Sequence, residues 1–288
     1  MMANVKPAPP ARIWLCADDY GISPGVNRAI CDLIAMGRLN ATSVMVVGPA
    51  LGRDEVAALQ DVVAERSARG NRCGVGLHVT LTAPFRPLTM HFRPADGGMF
   101  LSLPTMLQRG FVRRLDREII QSEISAQFSA FVDLFGRAPD FADGHQHVQL
   151  FPVVRDAFLA AVAANAPGAW VRQGGSNRPL LKRLNSPKAL LLDALSRQFR
   201  KRAARANIPF NTAFAGAYDY LRKPDFAALM QQFLHGLPDG ALVMCHPGFV
   251  DETLESLDPL THQREHEHAF LASEQFAALM AANKVTLS

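Results

Sequence analysis

Ile13-Trp14-Leu15-Cys16-Ala17-Asp18-Asp19-Tyr20-Gly21 is a short apolar run that ends on two adjacent carboxylates and a turn. The apolar part reads as a buried strand. Such a strand has little use for charge at its tip, because an unpaired carboxylate leaving water must shift its pKa or bind something positive. On a regular strand neighbouring side chains point to opposite faces, so Asp18 and Asp19 reach one site only if the strand breaks at the pair. The bland alternative is that one aspartate caps a turn while the other stays solvated.

Outward from this run, apolar or β-rich segments recur at Thr42 to Val47, Val75 to Leu81, Phe141 to Ala142, Trp170 to Arg172, Thr212 to Phe214, Ala241 to Cys245 and Val285 to Leu287. Helical patterns lie between them. Ser23 as N-cap and Pro24 at the first position open one helix, with Val26, Ile30, Leu33 and Ile34 on its apolar face and Gly37 after it. Asp116 to Phe135 is the clearest, with Ile120, Ile124, Phe128, Phe131 and Phe135 at helical spacing. Others are expected over Arg53 to Arg69, Pro152 to Ala164, Pro187 to Ala206, Pro224 to Leu234 and His262 to Ala282. This alternation predicts an α/β fold: a TIM-barrel-like (β/α) barrel of mostly parallel strands. One domain is expected over 12–288, behind a flexible N-terminal segment at 1–11. The patternless stretch Ala83 to Gly110 reads as a long loop over one end of the barrel.

The 288 residues are 49% hydrophobic and 19% charged, which excludes wholesale disorder. No apolar run is long enough for a membrane-spanning helix. The N-terminus does not read as a secretory signal. The four cysteines show no CxxC spacing and read as reduced core thiols of a cytoplasmic protein. A formal charge of +4 is too mild to argue for nucleic acid. Nine basic residues do gather between Arg178 and Arg205 against the single acid Asp193. They form either a solvated helix face over Leu190, Leu191, Leu195 and Phe199, or an amphipathic basic arm that meets an anionic partner, such as a phosphorylated substrate or, by peripheral contact through 178–205, a membrane surface.

Polar residues recur at strand ends in Gly76-Leu77-His78-Val79-Thr80, Asp143-Gly144-His145-Gln146-His147 and Met244-Cys245-His246-Pro247-Gly248. In a parallel α/β barrel all such ends converge on one face. If the middle segment stays extended, Asp143, His145, His147 and Gln149 project to one side. One of these histidines then binds a metal while Asp143 or Gln149 orients it. A carboxylate with two imidazoles suits a catalytic divalent ion with open positions, and a second carboxylate and another histidine supply base and acid.

The same motifs, with Ser23, Asn27, Arg264 and Leu271-Ala272-Ser273, make the chain resemble the YdjC-like (ChbG/HpnK) carbohydrate deacetylases from about Arg12 onwards. That resemblance implies a barrel fold and removal of acetyl groups from N-acetylated amino sugars, in chito-oligosaccharides or glycolipids. By position it makes Asp19, His78 and His145 metal ligands, Asp18 the base that activates water, and His246 the acid that protonates the leaving amine. Asp143, His147, Tyr20 and Arg264 support the site or the substrate. At Gln149 the chain departs from the family's histidine. The cofactor implied is one divalent ion, magnesium by family association or zinc by the imidazoles. An acetylated amino sugar or glycolipid is the expected partner, with no nucleic acid, and a homodimer is compatible with these features.

Two other classes compete. A metal-independent glycoside hydrolase needs carboxylates on opposite sides of the scissile bond, at least ~5 Å apart, which adjacent aspartates serve poorly. A non-catalytic sugar-binding or regulatory protein on a barrel scaffold would not need the full set of acid, base and ligands.

Overall fold

The computed structural model describes residues 9–93, 95–175 and 187–287. All eight expected strands form, as β1 (Ala11–Tyr20), β2 (Ala41–Val44), β3 (Gly74–Val79), β6 (Phe141–Gly144), β7 (Trp170–Val171), β8 (Phe214–Ala215), β9 (Ala241–Cys245) and β10 (Val285–Leu287). Every pairing among them is parallel, in the order β7-β6-β3-β2-β1-β9-β8. The two ends of that path approach each other. Val171 pairs with Phe210, and the Phe214 amide donates to the Gly175 carbonyl at 3.2 Å, which curls the sheet into a barrel. β10 takes no place in the ring: it pairs with the lower part of β1, Ala11 to Ile13, whereas β2 pairs with the upper part from Cys16.

The helices start where local chemistry dictates. In α1 (Pro24–Ala35) the Ser23 hydroxyl accepts the Val26 amide, and Pro24 fills a position whose N–H would have no partner. In α4 (Arg117–Phe135) Asp116 accepts the amides of Glu118 and Ile119, and left-handed Gly136 ends the helix. The remaining long helices are α2 (Arg53–Ala68), α5 (Val154–Asn165), α6 (Pro187–Arg205) and α7 (Phe226–Leu234). The helix expected over His262 to Ala282 is two, α9 (His262–Ala272) and α10 (Glu274–Ala282). Ser273 adopts an extended conformation between them and caps the second by accepting the Phe276 amide. A short α8 (Glu252–Leu257) was not expected.

The stretch 83–110 is not the patternless loop of the sequence reading. It holds the two-stranded hairpin β4 (Ala95–Asp96) and β5 (Met99–Phe100), then α3 (Leu103–Phe111). It is also pinned: wholly buried Glu123 of α4 accepts the amides of Leu88 and Thr89 and the Thr89 hydroxyl. The basic segment resolves in part, with 178–186 outside the described residues. In α6 Leu195, Phe199 and Ala203 are buried while Arg197, Lys201 and Arg205 are exposed, and Arg202 pairs with Asp156 at 2.7 Å. Ala11 already pairs with Val285, and residues 1–8 of the expected flexible lead lie outside the described residues. Among the described residues the four cysteines are free, and no helix is long and apolar enough to cross a membrane.

Candidate active site

The problem posed by adjacent Asp18 and Asp19 is solved by a bulge. Against β2 the register runs Ala17↔Thr42 and then Tyr20↔Val44, three steps on β1 against two on its neighbour. Asp19 takes up the extra residue in the left-handed region at φ 70. Such a conformation costs on the order of 1–3 kcal/mol and suits Asp better than most residues. The distortion is locked from behind. Gly21 has φ 102, its amide donates to Asn27 Oδ1 at 2.6 Å, and Asn27 Nδ2 donates to the Ala50 carbonyl. Both carboxylates therefore lie at the C-terminal mouth of the barrel, 2% and 1% exposed.

Around Asp19 the structure brings together His78 and His145. Asp19 Oδ1 lies 3.3 Å from His78 Nε2 and 3.0 Å from His145 Nδ1. One donor atom from each of the three residues lies within 4.8 Å of the others. Arg264 of α9 takes the other oxygen, Oδ2, at 2.7 Å and leaves Oδ1 to the imidazoles. Burial alone would raise the Asp19 pKa, but Arg264, His145 and His78 together hold it well below the usual carboxylate range. His78 is oriented from behind, donating Nδ1–H to Asp143 Oδ1 at 2.6 Å, which turns Nε2 toward Asp19. The register explains that contact, since His78 and Asp143 are direct partners across β3 and β6. Gly76, two residues earlier, lets β3 lie against Phe141, whose ring would be 2.4 Å from a Cβ there. Burial opposes a charged His78, yet Asp143 and Asp18 push its pKa up to about 10, so the cluster draws positive charge to this imidazole.

Asp18 has a different neighbour. Arg172, just past β7 and wholly buried, forks onto its two oxygens at 2.6 and 2.5 Å and also reaches Asp143 at 2.5 Å. Burial would raise Asp18, but Arg172 and then His78 outweigh it and hold the carboxyl at about 2. The Ser43 hydroxyl donates to Asp18 Oδ1 at 3.3 Å. His246 Nε2 stands 4.0 Å from Asp18 Oδ2, with a fifth of its side chain exposed. Its own amide donates to Glu267 at 2.6 Å, and Glu267 also receives the Tyr218 hydroxyl.

The structure thus gathers Asp18, Asp19, His78, Asp143, His145, His246 and Arg264. It does not gather Tyr20 or His147. Tyr20 points away and donates its hydroxyl to the Glu55 carbonyl of α2. The parity that grouped His147 and Gln149 with Asp143 fails because the strand ends at Gly144: residues 145–150 form a tight helical turn with Gln146 and His147 left-handed. The His147 ring packs edge-on against Phe214, and Gln149 donates to the carbonyl of Arg172. Sequence reading missed Arg172, Ser43, Glu267, Tyr218 and Phe85, whose ring meets His145 edge-on at 5.7 Å. Only Arg172 carried a signal, as a charged residue at the end of an apolar strand.

The architecture defines a class: a parallel α/β barrel with a carboxylate–imidazole centre at its C-terminal mouth. The family model of the YdjC-like proteins matches residues 12–282, and the chain belongs to that family. Among its relatives are the chitooligosaccharide deacetylases of Escherichia fergusonii, 28% identical over 239 residues, and Salmonella schwarzengrund, 27% over 238. Each alignment spans 83% of this chain and 82% of the relative. Among solved structures, a protein of Enterococcus faecalis V583 described as a candidate cellobiose-phosphate cleavage protein superposes with a TM-score of 0.73 at 18% identity, covering 97% of both chains. The lactam utilization protein of Thermus thermophilus gives 0.50 at 15%, covering 96% of this chain and 98% of that one. At such identities the likeness is one of fold.

Proposed function

We propose that the chain is a carbohydrate N-deacetylase that hydrolyses the acetamido group of an N-acetylated amino sugar, free as a chito-oligosaccharide or carried on a glycolipid. The observation that carries this reading is the division of labour between the aspartates. Asp19 faces two imidazoles, while Asp18, beside it, is held separately by Arg172. Membership of the family and the deacetylase relatives support it.

The donor set Asp19, His78 and His145 fits one divalent cation: its three donor atoms converge, and Asp143 and Arg264 fix the orientation of two of them. Two imidazoles favour a borderline ion such as zinc over magnesium. When bound, such an ion polarises a carbonyl and makes a neighbouring water more acidic. Asp18, ionised throughout the neutral range, accepts the proton of the attacking water. Arg172 keeps that carboxylate in place and bars it from taking a ligand position of its own. His246, at the rim, protonates the departing amine, its main chain fixed by Glu267. The products are acetate and the free amino sugar, with no covalent enzyme intermediate.

The test is acetate release from diacetylchitobiose, longer N-acetylglucosamine oligomers and an N-acetylglucosaminyl lipid, after chelator treatment and after readdition of zinc or magnesium. Release that chelation abolishes and an added ion restores is expected. No release from any acetylated sugar under any ion would overturn the reading.

A further inference from the structure

In the connection between β3 and α4, Arg93, Arg109 and Arg114 line an open hollow of about 440 Å³, together with Ala95, Asp116 and Ile119. An adjoining cavity of about 380 Å³ reuses Arg109 and Arg114 beside Gln108 and Val112. The three arginines come from three places: the approach to the β4–β5 hairpin, the last turn of α3 and the link to α4. Among the described residues none of them has a carboxylate within ion-pair distance, although nine other arginines do. Asp116, the one acid on the cavity wall, already caps α4 through its Oδ1.

A single exposed arginine needs no explanation. Three that converge on one concavity against the single carboxylate of Asp116 leave a net positive charge there that an anion would answer. Guanidinium forks match the oxygens of a tetrahedral oxyanion and bind it bidentately, which a lone carboxylate would use less fully. We propose that this cavity is a phosphate-recognition subsite, taking a ligand through a phosphate mono- or diester. Its surroundings admit either a soluble phosphate ester or a phospholipid headgroup, since Met90, Phe111 and Val112 on the same segment are exposed apolar side chains. A run of contacts links the subsite to the barrel mouth. Phe92, next to Arg93, packs edge-on against Phe100, the Phe100 amide donates to the Phe85 carbonyl, and Phe85 packs on His145. The proposal does not depend on the deacetylase reading.

The test uses the full chain, the double variant Arg109→Gln/Arg114→Gln and a control of equal charge loss, Arg69→Gln/Arg137→Gln, whose arginines already pair with acids. Calorimetric titration with inorganic phosphate and glycerol phosphate is run beside sedimentation with phosphatidylglycerol or phosphatidylcholine vesicles. The first double variant is expected to weaken binding at least tenfold, as loss of charge-assisted bonds implies, with the control within twofold of wild type. Loss seen with the soluble phosphates identifies a phosphate ester. Loss seen only with phosphatidylglycerol vesicles identifies a lipid headgroup. Absence of binding to every probe, or equal weakening in the control, overturns the subsite. Unchanged melting temperatures establish that the variants fold.

Discussion

Two groups of ligand-type side chains sit side by side at the barrel mouth, and they meet opposite fates. Cys16, Asp18 and Asp143 form one; Asp19, His78 and His145 form the other; in each, the donor atoms lie within 4.8 Å of one another. The first is answered from within. Arg172 places Nη2 at 2.5 Å from both Asp18 and Asp143 and 3.2 Å from Cys16 Sγ, a permanent cation in the position an ion would need. Burial, moreover, pushes the Cys16 thiol well above its usual pKa, against the opposing pull of Arg172, so it stays protonated and ligates poorly. In the second group Arg264 engages only the far oxygen of Asp19, and two imidazoles supply nitrogens that can donate electrons to a metal. Similar clustering thus yields a closed ion pair in one place and a candidate cation centre in the other. The difference lies in where the arginine sits: Arg172 stands between the donors of the first group, whereas Arg264 lies on the far oxygen of Asp19.

The largest break in that comparison comes from removing the centre itself. Asp19→Ala or His78→Ala is expected to lower both metal stoichiometry and deacetylase activity, the latter by about a thousandfold or more, since a bound ion supplies several kcal/mol of charge stabilisation. Elemental analysis beside an acetate assay checks it; full metal content in Asp19→Ala would take Asp19 out of the ligand set. Asp18→Asn should separate the groups cleanly. Activity falls by about 10²–10⁴-fold, the usual worth of a proton acceptor, while metal content stays near wild type. Retained activity in that variant would remove Asp18 from the role of base.

The fold was legible in the sequence because periodicity and caps are local. Every strand run formed, and Ser23, Pro24 and Asp116 opened helices where expected. Six site positions were equally legible, since Asp18, Asp19, His78, Asp143, His145 and His246 stand at or just past strand ends that a parallel barrel gathers. What stayed hidden was set by conformation beyond the strands. The left-handed backbone at Gln146 and His147 overrode the two-residue period, and the bulge at Asp19 swung Tyr20 outward. Glu267 and Tyr218 meet across 49 residues at the back of the His246 turn, a pairing that no spacing in the chain announces.

Arg172 tests whether the first group really is a closed pair. Arg172→Met leaves Asp18 and Asp143 buried without their cation, and breaking a buried pair from one side costs about 3–5 kcal/mol. Denaturant unfolding should show that loss. The double variant Arg172→Met/Asp18→Asn should recover part of it, because one uncompensated charge is removed with its partner and contacting sites are not additive. Equal stability of the single and double variants would mean that Arg172 holds the fold through packing alone.

The smallest effect belongs to Tyr20, the residue beside the aspartates that the structure turns the other way. Its side chain is 1% exposed, and its hydroxyl reaches the Glu55 carbonyl at 2.6 Å and Cys31 Sγ at 3.8 Å, on the helical side of the sheet. Burial raises its pKa, so the hydroxyl remains a donor at any working pH. Tyr20→Phe removes one neutral hydrogen bond and leaves a part-buried carbonyl to find water, a loss of about 1 kcal/mol. In a chain of this length that lowers the melting temperature by only about 2 °C. Because the bulge points Asp19 into the mouth and Tyr20 away from it, kcat and KM should stay within twofold of wild type. A tenfold fall in kcat without a change in melting temperature would place the hydroxyl in the reaction and show that the bulge turns Tyr20 inward during turnover.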